Sequence, residues 1–224
     1  MTDHAKENAA RAAVEMVEDG MRLGLGTGST ANFMLWFLAE RVREGLNVVG
    51  VPTSERTTAR ARQLGIPLTS LDETPELDLC IDGADEFDPD LNLIKGGGGA
   101  LLREKIVASA AKRFVVIADA SKRVACLGAY PLPVEIVPLA AVPLATRLTA
   151  LGANVSLRQK EDGSAFISDE GNYIVDCAFG EIADPPALAA RLSGFAGVVE
   201  HGLFCGMADV VLVGTADGVE RLES

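Results

Sequence analysis

The sequence predicts an α/β protein whose larger domain is a doubly wound, mostly parallel, Rossmann-like sheet. Through the first half of the chain, short apolar runs alternate with amphipathic segments, which is the pattern of consecutive βαβ units. After Lys122 four prolines crowd a short span, as happens where chains pass between packed units. An apolar run then returns at residues 208–213, of the kind found inside parallel sheets. We therefore predict a Rossmann-like domain of residues 1–130 plus 205–224 and an inserted, smaller α+β domain of residues 131–204.

Helices and strands are expected to alternate along the larger domain. Residues 3–18 have an amphipathic helical pattern, residues 54–64 form a helix capped by Ser54 and ended by Gly65, and Glu104 lies on a third helix. The helix that follows residue 31 is expected to be buried through its large side chains: Phe33, Leu35, Trp36, Phe37 and Leu38. Strands are predicted at four short apolar runs: residues 21–25, 48–51, 77–81 and 114–118.

The inserted domain has the pattern of a split βαβ, ferredoxin-like unit. Its predicted strands and helices are residues 134–137, 141–151, 155–157, 187–192 and 198–200, with a hairpin that turns at residues 169–172. The exposed hairpin and the apolar strands favour a role in oligomerisation. We expect a homo-oligomer, either a dimer or a tetramer.

Composition restricts the possible partners. The chain has 224 residues and a formal net charge of −12, which argues against binding to nucleic acid or to an anionic membrane surface. The N-terminus has no apolar signal region, and no apolar run is long enough to span a bilayer. Four cysteines stand far apart without a CxxC motif, which is typical of thiols in a reducing compartment. A cytoplasmic protein is expected.

The turn GTGST, residues 26–30, connects the first strand to a helix. Such a turn forms an anion site, because unpaired N–H groups and the helix dipole point at one place. A Walker A loop is excluded, since no lysine precedes the serine. A dinucleotide site is disfavoured, since the strand at residues 48–51 ends without an acid and the nearest is Glu55. A small phosphate monoester fits best, and a plain glycine-rich βα turn is the alternative. Hydroxyl donors would come from Thr27, Ser29 and Thr30.

A second glycine-rich region follows the strand at residues 77–81, where DGADE precedes IKGGGGALLREK. Gly83 permits a tight turn in which Asp82 and Asp85 share one side. Two carboxylates and the Lys95 ammonium would then converge, and their mutual influence can separate acid and base roles. The four glycines of residues 96–99 would present backbone N–H groups beside a helix start. A solvated acidic turn is the alternative for DGADE alone.

Five motifs occur in one order between residues 26 and 135: GTGSTA, DGADE, IKGGGGALLREK, IADASK and PLPVE. In this order they resemble type A ribose-5-phosphate isomerase. The resemblance implies an aldose–ketose isomerase, an intramolecular oxidoreductase that needs neither metal nor organic cofactor. Its substrates would be D-ribose 5-phosphate and D-ribulose 5-phosphate, interconverted through an enediolate in the non-oxidative branch of the pentose phosphate pathway.

The same resemblance implies roles for individual residues. Glu104 matches the family's catalytic glutamate and would move a proton between C1 and C2. Asp82 would serve the sugar hydroxyls, with Asp85 orienting it. Lys95 and the glycine N–H groups would stabilise the developing oxyanion. The expected substrate-binding residues are Lys6, Thr27, Gly28, Ser29, Thr30, Gly96, Gly97, Gly98 and Lys122.

Other chemistries lack the residues that they need. The only histidines are His4 and His201, too few to support a Ser-His-Asp triad or a histidine metal site. The acidic run after residue 81 lacks the glycine and the terminal glutamate of a calcium loop. A nicotinamide-dependent oxidoreductase would need the missing ribose-binding acid. A non-catalytic sugar-phosphate sensor would have little use for Asp82, Lys95 and Glu104 together.

Overall fold

The computed structural model describes residues 2–223, which form two compact units. The first comprises the described parts of Met1–Ala84, Arg103–Arg123 and Met207–Ser224, and the second comprises Asp85–Leu102 and Val124–Gly206. The segment 85–102 thus belongs to the second unit, whereas the sequence analysis assigns it to the larger domain. The predicted domain boundaries stay a prediction.

The described elements are thirteen strands and six α-helices, numbered here in chain order. The strands are β1 (Arg22–Leu25), β2 (Val49–Pro52), β3 (Leu79–Gly83), β4 (Glu86–Phe87), β5 (Leu93–Ile94), β6 (Phe114–Asp119), β7 (Leu132–Ile136), β8 (Asn154–Leu157), β9 (Tyr173–Ala178), β10 (Val198–His201), β11 (Leu203–Phe204), β12 (Val210–Gly214) and β13 (Val219–Glu223). The helices are α1 (Thr2–Glu15), α2 (Ser29–Arg43), α3 (Glu55–Leu64), α4 (Leu101–Ser109), α5 (Ala141–Ala150) and α6 (Pro185–Ser193).

A six-stranded sheet forms the centre of the first unit, in the order β13-β12-β6-β3-β1-β2. Five of its strands are parallel, and β13 is added antiparallel at one edge. The predicted mostly parallel, doubly wound sheet is confirmed. The chain also returns to this sheet as predicted, because the apolar residues of β12 pair with β6 in the sheet interior.

The helices of the first unit largely follow their sequence signals. The apolar face of α1, which includes Ala9 and Val14, is fully buried, although the helix ends at Glu15 rather than at residue 18. The Ser54 hydroxyl accepts a hydrogen bond from the backbone N–H of Thr57 at 3.0 Å, and α3 ends at Gly65 with φ 79°, as predicted. Over residues 2–223, no helix has the length and apolarity needed to cross a membrane.

The burial expected along α2 is wrong at one large side chain. Leu35 and Leu38 are buried, but Trp36 is 41% exposed. An α-helix has 3.6 residues per turn, so Leu35 and Leu38, three residues apart, lie on the same face. Trp36, the residue after Leu35, points away from that face. A run of consecutive apolar residues on a helix therefore cannot be buried throughout against a single sheet.

The second unit contains the predicted ferredoxin-like sheet. Its four antiparallel strands lie in the order β10-β7-β9-β8, and the chain passes through β7, α5, β8, β9, α6 and β10. The predicted hairpin turn is present, since Ser168 donates its backbone N–H to the Asn172 carbonyl at 2.9 Å. A small sheet in the order β11-β5-β4 was not predicted, because two-residue strands have no detectable periodicity.

Candidate active site

One edge of the first unit's sheet collects several of the predicted residues. Strands β1, β3 and β6 are parallel neighbours, so the loops that follow them begin at the same carboxyl edge, where α/β sheets place ligands. The GTGST turn follows β1, Asp82 lies near the end of β3, and the short 3-10 turn Ala120–Lys122 follows β6. Helix α4 leads into β6 after the short strands β4 and β5, so its first turn, which carries Glu104, lies toward this edge.

The GTGST turn has the geometry of an anion site. Gly28 is the N-cap of α2 with φ 124°, a backbone conformation that favours glycine, and no side chain caps the helix. The first turn of α2 contains no acidic residue. Lys6 reaches across from α1, and its Nζ donates to the Ser29 hydroxyl at 3.1 Å. An ammonium, a hydroxyl and uncapped N–H groups thus meet at one helix start, with Thr30 buried beside them.

The Thr27 hydroxyl is directed into the protein rather than toward this anion site. Its Oγ1 lies 2.8 Å from the Thr53 and Ser54 hydroxyls and 2.9 Å from the Thr57 hydroxyl. All four side chains are buried. This hydroxyl cluster ties β1 to the start of α3. The Thr27 hydroxyl thus has its partners within the protein, and a contact of Thr27 with the substrate stays a prediction.

Asp82 is held by backbone donors in the interior of the first unit. It is 1% exposed, and its Oδ1 accepts hydrogen bonds from the Thr27 N–H at 2.9 Å and the Gly83 N–H at 2.7 Å. A side chain at Gly26 would collide with this carboxylate, since an added Cβ would lie 2.5 Å from the Asp82 Cα and still closer to the carboxyl group. Gly26, absent from the sequence-predicted set, is thus required for the placement of Asp82.

Glu104 is buried on the face of α4 that packs against the sheet. Its side chain is 4% exposed, and Val107 lies one turn later on the same face. Gly24 of β1 allows this helix to approach closely, because an added Cβ there would lie 2.7 Å from Val107 Cγ1 and 2.8 Å from Cys80 Sγ. A buried carboxyl group at the carboxyl edge of a parallel sheet is a candidate for proton transfer.

Lys122 ends the turn after β6. Asp119 caps this turn, accepting from the Ser121 N–H at 2.9 Å and from its hydroxyl at 2.5 Å. Lys122 itself is half-buried at the same edge of the sheet as the GTGST turn. The structure therefore places seven predicted residues at this one edge, and Lys6 contacts one of them, Ser29. The seven are Thr27, Gly28, Ser29, Thr30, Asp82, Glu104 and Lys122.

The remaining predicted residues, Asp85, Lys95 and residues 96–98, belong to the second unit. Lys95 is 2% exposed, its backbone N–H donates to the Gly202 carbonyl at 2.9 Å, and its Nζ lies 5.5 Å from the centre of the Phe204 ring. A Cβ at Gly202 would collide with the Lys95 carbonyl, so this close approach requires glycine. Burial of such a long cationic side chain is rare unless the charge has a function or a partner.

The glycine loop of residues 96–99 uses part of its backbone internally. The Gly97 N–H donates to Asp85 Oδ2 at 2.7 Å, and the Gly99 N–H donates to the Gly96 carbonyl at 2.9 Å. The expectation that all four N–H groups serve a ligand is therefore wrong for these two. Gly96 and Gly98 retain N–H groups that the loop can offer.

Tyr130 was not predicted from the sequence and lies beside this loop. A Cβ at Gly97 would lie 2.6 Å from the Tyr130 hydroxyl and 2.5 Å from Asp85 Oδ1. Burial raises the pKa of Tyr130, and the nearby Asp85 carboxylate raises it further. The phenol therefore stays protonated at neutral pH and adds a neutral hydroxyl to the surroundings of Asp85.

The acidic run downstream of DGADE has a structural role. Asp88 accepts hydrogen bonds from the Asp90 N–H at 3.0 Å and from the Asn92 N–H at 2.8 Å, which closes a local turn. In the part of the chain that the structure describes, no three His, Cys, Asp or Glu side chains are grouped to hold a metal ion.

Comparison with known proteins identifies relatives over the full length. The sequence model of ribose 5-phosphate isomerase A, or phosphoriboisomerase A, matches residues 49–218. The ribose-5-phosphate isomerase A of Nitrobacter hamburgensis is 56% identical over 227 residues, covering 99% of this chain and 98% of the relative. That of Roseiflexus castenholzii is also 56% identical, covering 100% and 97%.

Solved structures agree with these sequence relatives. Ribose 5-phosphate isomerase A from Methanocaldococcus jannaschii superposes with a TM-score of 0.94 at 43% identity, covering 98% of both chains. A D-ribose-5-phosphate isomerase in complex with phospho-erythronic acid superposes with a TM-score of 0.97 at 40% identity, covering 100% of both chains.

Proposed function

The chain belongs to the ribose-5-phosphate isomerase A family, and from that premise we propose how its residues divide the reaction. The enzyme interconverts D-ribose 5-phosphate and D-ribulose 5-phosphate through an enediolate. In the open-chain aldose, a base removes the C2 proton, the enediolate forms, and a proton is returned to C1. A hydroxyl proton moves from O2 to O1, so that the aldehyde becomes an alcohol and C2 becomes the ketone.

Glu104 is proposed as the base that moves the proton between C2 and C1. The observation that carries this assignment is its burial, at 4% exposure, on the face of α4 that packs at the carboxyl edge of the sheet. A carboxylate shielded from water can exchange one proton with a bound carbon acid without losing it to solvent. Family membership supports the role, since the REK sequence that contains Glu104 is part of the family resemblance.

Asp82 and Asp85 are proposed to handle the hydroxyl protons. Asp82 would assist ring opening and the transfer between O2 and O1, and Asp85 would orient Asp82. Backbone N–H groups anchor one oxygen of each carboxylate, Thr27 and Gly83 for Asp82 and Gly97 for Asp85. Anchoring of this kind fixes where the second oxygen points, which is what a proton relay requires.

Lys95 and the glycine loop are proposed to stabilise the negative oxygen of the enediolate. The ammonium supplies full charge, and the N–H groups of Gly96 and Gly98 supply fixed dipoles. Such a preorganised donor array is usually the largest single contribution to catalysis. These donors make a metal ion unnecessary for this step, so we propose that the reaction proceeds without one.

The phosphate is proposed to bind at the start of α2. Lys6, Gly28, Ser29 and Thr30 surround this helix N-terminus, and Lys122 lies at the same sheet edge. The phosphate does not react, so its binding energy holds the other end of the sugar in place for proton transfer. We further propose a cytoplasmic enzyme that assembles as a homodimer or homotetramer.

A pair of substitutions tests the assignment of the two ends of the substrate. Glu104→Gln keeps the size of the side chain but removes the proton acceptor, so kcat should fall by at least about a hundredfold with KM changed much less. Ser29→Ala removes a contact present in both ground and transition states, so KM should rise more than kcat falls. A Glu104→Gln enzyme with kcat within a few-fold of the parent would overturn the assignment of the base, and reversed phenotypes would overturn the orientation of the substrate.

A further inference from the structure

Arg158, just after β8, donates hydrogen bonds to backbone carbonyls of the glycine loop. Its Nη1 donates to the Gly96 carbonyl at 2.8 Å and to the Gly97 carbonyl at 3.2 Å. On its other side, Nε donates to Asp176 Oδ2 at 2.9 Å, and Nη2 pairs with Asp176 Oδ1. One planar guanidinium thus joins a carboxylate on β9 to two consecutive carbonyls of the loop.

The carbonyls that Arg158 holds belong to the same peptide groups as two N–H groups of the loop. The Gly96 carbonyl is in the peptide plane of the Gly97 N–H, and the Gly97 carbonyl is in that of the Gly98 N–H. Fixing each carbonyl therefore fixes the opposite N–H. The Gly97 N–H holds Asp85, and the Gly98 N–H is one of the donors proposed for the enediolate. A cation on the carbonyl side also polarises these peptide groups and strengthens their N–H donors.

The surroundings of Arg158 favour a fixed geometry. Its side chain is 13% exposed, and its pairing with Asp176 is bidentate, the geometry that most restricts a guanidinium. Its backbone N–H donates to the Ile174 carbonyl at 2.9 Å, which ties it to β9. Phe166, from the hairpin after β8, lies against Gly99, where an added Cβ would collide with the ring. The loop is thus braced along its length by the hairpin.

We propose that Arg158 and Asp176 form a positioning pair that sets the direction of the glycine-loop N–H groups during isomerisation. This inference rests on the proposed function of that loop. Neither residue touches the substrate in this scheme; Arg158 acts through the loop, and Asp176 acts through Arg158. Without this pair, the flexible glycines would have to become ordered during the reaction, and the loss of conformational entropy would offset much of the stabilisation of the enediolate. This loss is large because glycine loses more conformational freedom on ordering than any other residue.

The test compares catalysis with binding in Arg158→Met, which keeps the length of the side chain and removes its donors. Because a displacement of about 1 Å can cost roughly a hundredfold in rate, we expect kcat to fall about tenfold to a hundredfold. KM for ribose 5-phosphate should stay within about threefold, since the phosphate site lies in the other unit. Phospho-erythronic acid has a carboxylate in place of the reacting carbons. Its inhibition constant should rise by a factor closer to the loss in kcat than to the change in KM.

Two further variants define the mechanism. Asp176→Asn keeps the shape of the side chain but weakens the hold on Arg158, so it should lower kcat in the same direction by a smaller factor. Arg158→Lys supplies a point charge without the planar fork, so it should recover only part of the loss.

Arg147→Met is the matched control, because the Arg147 guanidinium lies 5.9 Å from the Phe195 ring in the same unit and does not touch the loop. Its kcat should equal that of the parent.

The inference is overturned if folded Arg158→Met has kcat within threefold of the parent, or if KM and the inhibition constant rise equally. If Arg158→Met does not fold, Asp176→Asn decides the question by the same comparison of kcat, KM and inhibition. Glu104→Gln, measured in parallel, separates this inference from the proposed function. An inactive Glu104→Gln beside a fully active Arg158→Met would refute the positioning pair and leave the catalytic assignment standing.

Discussion

Gly26→Ala is the substitution whose consequence the structure specifies most directly. The added Cβ would lie 2.5 Å from the Asp82 Cα and would overlap the Asp82 carboxyl group, whereas ordinary Cβ contacts begin near 3.4 Å. Strands β1 and β3 must therefore separate by about 1 Å, or the Asp82 side chain must leave its position. Overpacking of this kind costs about 1–3 kcal/mol of stability. A displacement of about 1 Å in a reacting group costs up to roughly a hundredfold in kcat.

The assay is the steady-state conversion of ribose 5-phosphate to ribulose 5-phosphate, measured beside thermal unfolding. Gly83→Ala is the matched control, because it adds the same methyl group next to Asp82 and its nearest neighbour would be the Ile117 carbonyl at 3.8 Å. We expect kcat to fall at least about tenfold for Gly26→Ala and to change little for Gly83→Ala. If Gly26→Ala kept kcat within threefold, either the position of Asp82 or its role in catalysis would be refuted.

Two other predictions separate structural from catalytic effects. Thr27→Val removes a hydroxyl that contacts three buried hydroxyls. The free energy of unfolding, measured by chemical denaturation, should therefore fall by about 1–3 kcal/mol, while KM stays nearly constant. A raised KM with unchanged stability would show instead that the hydroxyl contacts the substrate. Hydrogen bonds from Arg22 and Lys112 lower the pKa of Asp78, so the charged form of Asp78 stabilises the fold above its unfolded pKa, and this contribution is lost as the pH falls through the folded value. Asp78→Asn should therefore lower stability by about 1 kcal/mol or less above about pH 5, with the difference shrinking below about pH 4, and a difference that grew on acidification would contradict the sign.

The parts of the fold that could be predicted were those whose signals are local. The apolar run of β12 has no polar face, so it could only lie inside a sheet covered on both sides. The limits of α3 followed from Ser54 and Gly65, which act through hydrogen bonds and backbone angles close to themselves. In contrast, β11 has two residues and forms by pairing with Leu93 and Ile94, about 110 positions earlier in the chain. No local pattern contains that information.

In the candidate site, too, the features with local sequence signals could be predicted and those that depend on distant residues could not. The positions of Asp82 and Glu104 could be inferred, since a strand end and the following helix start belong to one edge of a parallel sheet. The direction of the Thr27 hydroxyl could not, because it depends on Thr53 and Thr57 in a different βα unit. Arg158 was also missed. Its partners at Gly96 and Asp176 are 62 and 18 residues away, and a single arginine after an exposed strand resembles any solvated charge.

In the two glycine-rich segments, several glycines are required because another side chain approaches them closely. Gly26 leaves room for the Asp82 carboxylate, Gly97 leaves room for Asp85 and Tyr130, and Gly99 leaves room for the Phe166 ring. Each carboxylate also accepts an N–H group from the segment beside it, Asp82 from Thr27 and Asp85 from Gly97. A missing side chain and a backbone donor thus act together in both segments: Gly26 makes room for Asp82 while Thr27 donates to it, and Gly97 does both for Asp85. Alanine in place of Gly26 or Gly97 should therefore disturb the carboxylate beside it before it disturbs any bound oxyanion.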